Sequence, residues 1–228
     1  MIANLVLQVK ANMRFRLIIL LGISMIFSVI MSIFRVWHTE TLMYAFLVWN
    51  LFLAAIPYGI STLLILYPHL QKRAFIFWSL MVIWLLFLPN APYIFTDLFH
   101  LRPRQDVPLW FDLLLLLSFA WNGLMLGYLS LLDIQEIIIK KISWRSSWIL
   151  VIGVLLLSAF GVYLGRYLRW NSWDLFLNPL PLFQDIFDRF IHPFAHPRTW
   201  GVTFGYGTFL ILGYLILRTL IQKPIAKI

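Results

Sequence analysis

The chain has 228 residues, 62% of them hydrophobic and 12% charged, with 18 Lys and Arg against 9 Asp and Glu. Soluble domains carry about a quarter charged residues, so a soluble fold is excluded, and the absence of cysteine removes disulfides, thiolate metal sites and a cysteine nucleophile. The net charge of +9 is not a nucleic-acid footprint, because the basic residues flank apolar runs instead of gathering into one patch.

Six apolar runs follow one another at about residues 17–34, 42–66, 74–95, 110–132, 148–168 and 202–217. Each is near the roughly 20 residues needed to cross a ~30 Å hydrocarbon layer. They predict an all-α polytopic membrane protein, a bundle of six transmembrane helices forming a single integral membrane domain over residues 1–228. The first run follows Lys10, Arg14 and Arg16, as a secretory signal would. Phe34, Arg35 and Val36 then stand where a small-residue cleavage site should be, so a retained first span is expected. Trp37, Trp110, Trp144, Trp148, Trp170, Trp173 and Trp200 fall near span ends, where indole rings anchor at the water interface.

Alternating spans put Lys10, Arg14, Arg16, Lys72, Arg73, Lys140, Lys141, Arg145, Arg218, Lys223 and Lys227 on the face holding both termini, leaving seven basic residues opposite. The positive-inside rule then places both termini in the cytoplasm. The opposite face holds Glu40, Asp97, Asp106, Asp112, Asp174, Asp185 and Asp188 and four histidines, His38, His100, His192 and His196. Any chemistry is expected there. The terminus-side loops, such as Gln71-Lys72-Arg73, read as orientation signals alone.

In the third run Pro89 and Pro92 must interrupt the helix ladder, since neither donates an amide hydrogen and each disfavours helix at the residue before it. In lipid the freed carbonyls need partners, so this segment should be buried in protein or line a wet cavity, with Asn90 as a local donor. Asp97 and His100 lie three apart, a spacing at which a carboxylate can orient an imidazole for proton transfer or simply pair with it. Asp112, at the start of the fourth run, suits the positive end of a helix dipole. Asn50 and Asn122 sit deep in the second and fourth runs, where amides usually bond to neighbouring helices. Gly123-x-x-x-Gly127, Gly161-x-x-x-Gly165 and Gly201-x-x-x-Gly205 offer small faces for close packing.

After the fifth run, Arg166 and Arg169 are one helical turn apart, a spacing suited to gripping a phosphate or carboxylate, or to snorkelling toward lipid phosphates. Asn171 and Asp174 follow. Between the fifth and sixth runs Leu182, Phe183, Ile186, Phe187, Phe190 and Ile191 form an apolar stripe opposite Asp185, Asp188, Arg189 and His192, which predicts an interfacial amphipathic helix on the extracytoplasmic face. Asp97, His100, Asp188, His192 and His196 match no known metal signature, and neither metal nor cofactor is expected. Gly-x-Ser-x-Gly, His-Glu-x-x-His and a Walker A loop are all missing from the chain.

Three groups of residues carry a resemblance. They are Leu88-Pro89-Asn90-Ala91-Pro92-Tyr93 with Thr96-Asp97-Leu98, Trp110-Phe111-Asp112 with Ser118-Phe119-Ala120-Trp121-Asn122-Gly123, and Gly165-Arg166 with Leu168-Arg169-Trp170-Asn171-Ser172-Trp173-Asp174. From the third span onward the chain resembles the bacterial membrane family catalogued as domain of unknown function 1361. The resemblance implies a bacterial plasma (inner) membrane protein with several spans, and it brings no reaction.

The leading functional expectation is an extracytoplasmic-leaflet cavity that binds or processes an anionic lipid or small anion through Asn90, Asp112, Arg166, Arg169, Asn171 and Asp174. If the protein is an enzyme, Asp97 and His100 are its acid and base. One alternative is a small-molecule transporter with Asn50, Asn90 and Asn122 along its path. Another is a non-catalytic assembly or scaffold protein docking partners through its glycine faces. The expected partners are membrane lipids, with no role for nucleic acid.

Overall fold

The computed structural model describes the backbone of residues 2–222 and the side chains of residues 13–221; Lys10, Lys223 and Lys227, counted above for topology, lie outside the described side chains. Every regular element described is helical, and six helices are long and apolar enough to cross a membrane, as the sequence predicts for a multi-pass membrane protein. In chain order they are α1 (Ile2–Thr39), α2 (Phe46–Leu66), the short α3 (Pro68–Lys72), α4 (Ala74–Phe87), α5 (Asn90–Tyr93), α6 (Leu109–Lys141), α7 (Trp144–Tyr167), α8 (Asp174–Leu177), α9 (Pro179–Ile191) and α10 (Pro197–Gln222). A 3-10 stretch, Ile94–His100, continues α5, so Ala74–His100 makes a single interrupted span.

Several boundaries move outward. The fourth run was expected to end near residue 132, yet α6 reaches Lys141, because Asp133 and Gln135 meet partners on other helices. The sixth begins at Pro197, with Thr199 and Thr203 buried in its first turns.

The spans are unequally buried. In α6 and α7 44% of the most apolar window is covered by protein, against 22% in α1 and 17% in α10, so the middle helices form the hub. One apolar cluster joins α4, α6, α7 and α10 through Trp84, Leu131, Ile134, Val151, Leu155 and Tyr214. The second joins α1, α2, α5 and α6 through Leu21, Leu47, Leu51, Ala91, Ile94 and Phe119.

The double-proline break is held from both sides by glycine. A methyl group at Gly123 would lie 2.6 Å from the Ala91 carbonyl oxygen, and one at Gly127 would lie 2.9 Å from the Ala91 Cβ. Across the break, Gly161 leaves room for the Pro89 ring and Gly165 for the Tyr93 ring. Small residues on α6 and α7 therefore let an irregular segment sink between them, as close packing in lipid requires. The third glycine pair differs, because nothing lies within 4 Å of a methyl at Gly201 or Gly205.

Side chains donate to carbonyls around the break, one of them from the α7–α8 connection. Asn90 Nδ2 donates to the Phe87 carbonyl at 2.9 Å, Ser172 Oγ donates to that of Leu86 at 3.4 Å, and Thr96 Oγ1 donates to that of Tyr93 at 2.7 Å.

Helices α1 and α6 run antiparallel along a polar seam. At one end Arg35 donates Nε to Asp112 Oδ1 (2.7 Å) and Nη2 to Oδ2 (3.2 Å). At the other, Arg14 donates Nη1 to Asp133 Oδ1 (3.0 Å) and Nη2 to Oδ2 (2.8 Å), and Ser61 and Thr62 of α2 complete the cluster. Midway, Asn122 Nδ2 donates to the Ser24 carbonyl and to Ser28 Oγ.

Candidate functional site

A cavity of about 700 Å³ lies between α2, α4, α5 and α7, with the α7–α8 connection and α9 over it. That volume falls within the ~300–1,000 Å³ usual for small-molecule sites. Its long walls are apolar, formed by Leu53, Val82, Leu85, Leu157, Leu164 and Ile186. One end is polar, with Asn50, Asn90, Asp97, His100, Arg166 and Asn171.

Asp97, 1% exposed, is the centre of the polar end. Its Oδ1 accepts from Arg166 Nη2 at 3.1 Å and its Oδ2 accepts from Asn50 Nδ2 at 3.1 Å, so both oxygens are engaged. Arg166 Nη2 also donates to the Thr96 carbonyl, tying α7 to the segment that carries Asp97. The guanidinium lies over the rings of Tyr93 and Phe99, 5.4 and 5.7 Å from their centroids, which favours a cation there. Arg166 Nε is buried and has no hydrogen-bond partner among the described residues. Protein contacts fix this arginine through Nη2, and its partly exposed side chain lines the polar end of the cavity.

His100 stands at the mouth. Its Nδ1 is 3.3 Å from the Asp97 carbonyl oxygen, 3.5 Å from Arg166 Nη2 and 3.8 Å from the Asp97 carboxylate, and its ring meets Phe46 edge-on. The geometry makes His100 a neighbour of the Asp97–Arg166 pair without a direct bond to the carboxylate.

Of the residues expected from sequence to hold an anion, Asn90, Arg166 and Asn171 line the cavity, and Asp112, Arg169 and Asp174 do not. The expectation that Arg166 and Arg169 share one helical turn is corrected. Helix α7 stops at Tyr167, Arg169 adopts φ 64° in the left-handed region, and the Trp170 amide folds back onto the Leu164 carbonyl at 3.1 Å. Arg169 is exposed. Asp112 is consumed by Arg35 and makes no helix-capping bond. Asp174 braces the turn above the cavity. Its Oδ2 accepts from the Asn171 amide (2.7 Å) and its Oδ1 from Asn178 Nδ2 (3.3 Å); the Asn171 amide, then the two asparagine side chains, hold this carboxyl below its usual range against the opposing push of burial.

The amphipathic segment also differs in one respect. Arg189, expected on the wet stripe, is buried, because its Nη1 turns back to the Asp185 carbonyl (2.5 Å) and carboxylate (3.1 Å). Asp185 in turn accepts from Trp170 Nε1 at 2.7 Å, which fastens α9 to the end of α7. Asp188 accepts on separate oxygens from His192 Nδ1 (3.0 Å) and His196 Nε2 (2.7 Å), bonds that lower its pKa, His192 first. Among the described residues no group of His, Asp and Glu has the arrangement to hold a metal ion.

Asn50 and Asn90 reach the cavity, whereas Asn122 lies in the α1–α6 seam, so the three do not line one path. Sequence reasoning missed Arg35, Arg14 and Asp133 as structural partners. The available signal was spacing, since Arg35 follows Arg14 by 21 residues and Asp133 follows Asp112 by 21. Thr96 and Ser172 were quoted in the motifs above without a role, and their contacts with Arg166 and Asn90 become visible only in three dimensions.

A family model described as "Protein of unknown function (DUF1361)" matches residues 49–212, most of the chain, which belongs to that family. No curated protein and no solved structure matches the chain.

Proposed function

We propose that the cavity receives a lipid-like amphiphile from the surrounding leaflet and that Arg166 holds its acidic group. The observation that carries this reading is a single cavity whose polarity changes along its length. Its polar end offers the Arg166 guanidinium, and away from that end the lining is mostly apolar, with Ser158 beside Leu157 as the exception.

The depth fits one leaflet. Leu157 lies nine residues below Arg166 on α7, ~13 Å at 1.5 Å per residue, close to half of a ~30 Å hydrocarbon layer. The walls also point to sideways entry. Val82 and Leu157 line the cavity and are 64% and 52% exposed, and in this reading part of that exposure opens toward lipid. In this reading Asp97 orients Arg166 and His100 borders the entrance, so the pair serves binding before any chemistry. The basic-residue count supports placing this face outside the cytoplasm of a bacterial plasma membrane.

Leu157→Trp tests the reading, because the substitution fills the apolar end from an exposed position and leaves the polar residues intact. Purified wild-type protein should retain bound lipid by native mass spectrometry, and the variant should lose it at unchanged thermal stability. Equal lipid retention in both proteins removes the proposal.

A further inference from the structure

The hydrogen-bonding inventory of the polar end narrows the ligand class. Three asparagines line it, and each spends its amide nitrogen on protein. Asn50 Nδ2 donates to Asp97 Oδ2 (3.1 Å), Asn90 Nδ2 to the Phe87 carbonyl (2.9 Å), and Asn171 Nδ2 to Asp174 Oδ2 (3.2 Å). All three partners are acceptors, so each amide must present nitrogen to protein and turn its oxygen away. Among the described residues none donates to Asn50 Oδ1, Asn90 Oδ1 or Asn171 Oδ1. The end of the cavity is therefore rich in open acceptors beside one partly exposed guanidinium.

Resting on the proposed amphiphile site, we infer that its ligand carries a hydroxyl-bearing polar group attached through a singly charged acidic link such as a phosphodiester. Arg166 takes the acidic link. The asparagine oxygens take the hydroxyl hydrogens, which a bare phosphate ester or a trimethylammonium group cannot supply. A primary ammonium fits less well. Burying it calls for a carboxylate it can reach, and Asp97, the carboxylate of the described lining, is 1% exposed behind its contacts with Arg166 and Asn50. Charge points the same way, because Asp97 and Arg166 sum to zero and Arg166 is the one Arg or Lys among the described lining residues. Such a pair suits a single negative charge better than a multiply charged phosphate.

The test compares four lipids with identical acyl chains against the full-length protein in nanodiscs, reading dissociation constants by native mass spectrometry. Phosphatidylglycerol and phosphatidylethanol carry the same charge and differ in hydroxyls; phosphatidylethanolamine and phosphatidylcholine supply the ammonium and donor-free arms. Phosphatidylglycerol should bind roughly fivefold or more tighter than phosphatidylethanol, the scale of one net hydrogen bond. Asn50→Leu should erase that preference while phosphatidylethanol binding persists. Equal binding of phosphatidylglycerol and phosphatidylethanol by wild-type protein, or tighter binding of phosphatidylethanolamine, overturns the headgroup inference. If the lipids bind equally and Leu157→Trp abolishes them all, the amphiphile site stands and the headgroup inference alone fails. If none binds, both fall.

Discussion

Arg35 and Asp112 form a buried two-bond ion pair between α1 and α6, and Arg14 and Asp133 repeat it on the same two helices at the other membrane face. The two arginines are 21 residues apart, as are the two aspartates, so the pairs stand ~31 Å from each other along the helices. That is the thickness of the hydrocarbon layer, and it is three heptads, the repeat that keeps one seam facing between two helices. With Asn122 bonded to Ser28 midway, the register of α1 against α6 is set at three depths.

Removing one member of the Arg35–Asp112 pair leaves a buried charge without its partner. Arg35→Met should lower stability by about 3–5 kcal/mol, and Arg35→Met combined with Asp112→Leu should recover most of the loss. Chemical unfolding in mixed micelles measures both. A double variant as unstable as the single one would show that the pair does not act as a unit.

Glycine at two similar motifs should behave oppositely. Gly123→Ala drives a methyl against the Ala91 backbone oxygen and is expected to destabilise by about 1–3 kcal/mol. Gly201→Ala meets nothing and should be neutral or stabilising by up to about 1 kcal/mol through helix propensity. Melting temperatures of the two variants decide the matter, and an equal effect would contradict the clasp around the proline break.

Acid should loosen the turn over the cavity. The folded Asp174 carboxyl is held below its unfolded value of about 3.9, so its contribution to stability is complete above that pH and is lost as pH falls through the folded value. Fluorescence of the neighbouring Trp170 and Trp173 should change below about pH 4. Asp174→Asn should remove that transition, and an identical acid profile in the variant would exclude Asp174 as its origin.

The cysteine-free chain makes topology directly measurable. Phe194→Cys, at a position 98% exposed beside α9, should react with an impermeant maleimide in intact cells. Ile142→Cys, exposed on the terminus face, should react only after lysis. The reverse pattern would invert the proposed orientation.

The six spans and their polarity were readable directly, because crossing hydrocarbon demands about 20 apolar residues whatever the fold around them. The proline break was readable too, along with the need to satisfy its carbonyls, since proline lacks a donor in every context. Asp97, Asn90 and Arg166 stood out because each is a polar residue beside an apolar run.

What sequence could not order was which polar residues meet. Arg166 and Arg169 looked alike in sequence, and the end of α7 sends one into the cavity and the other to the surface. Asp97 and Asp112 looked alike as carboxylates at a membrane face, yet the packing of α1 claims Asp112 and leaves Asp97 to Arg166 and Asn50. Hydropathy is a property of each segment by itself and so survives in the linear chain. Pairing depends on helix rotation and register, which only side-chain packing across the bundle decides.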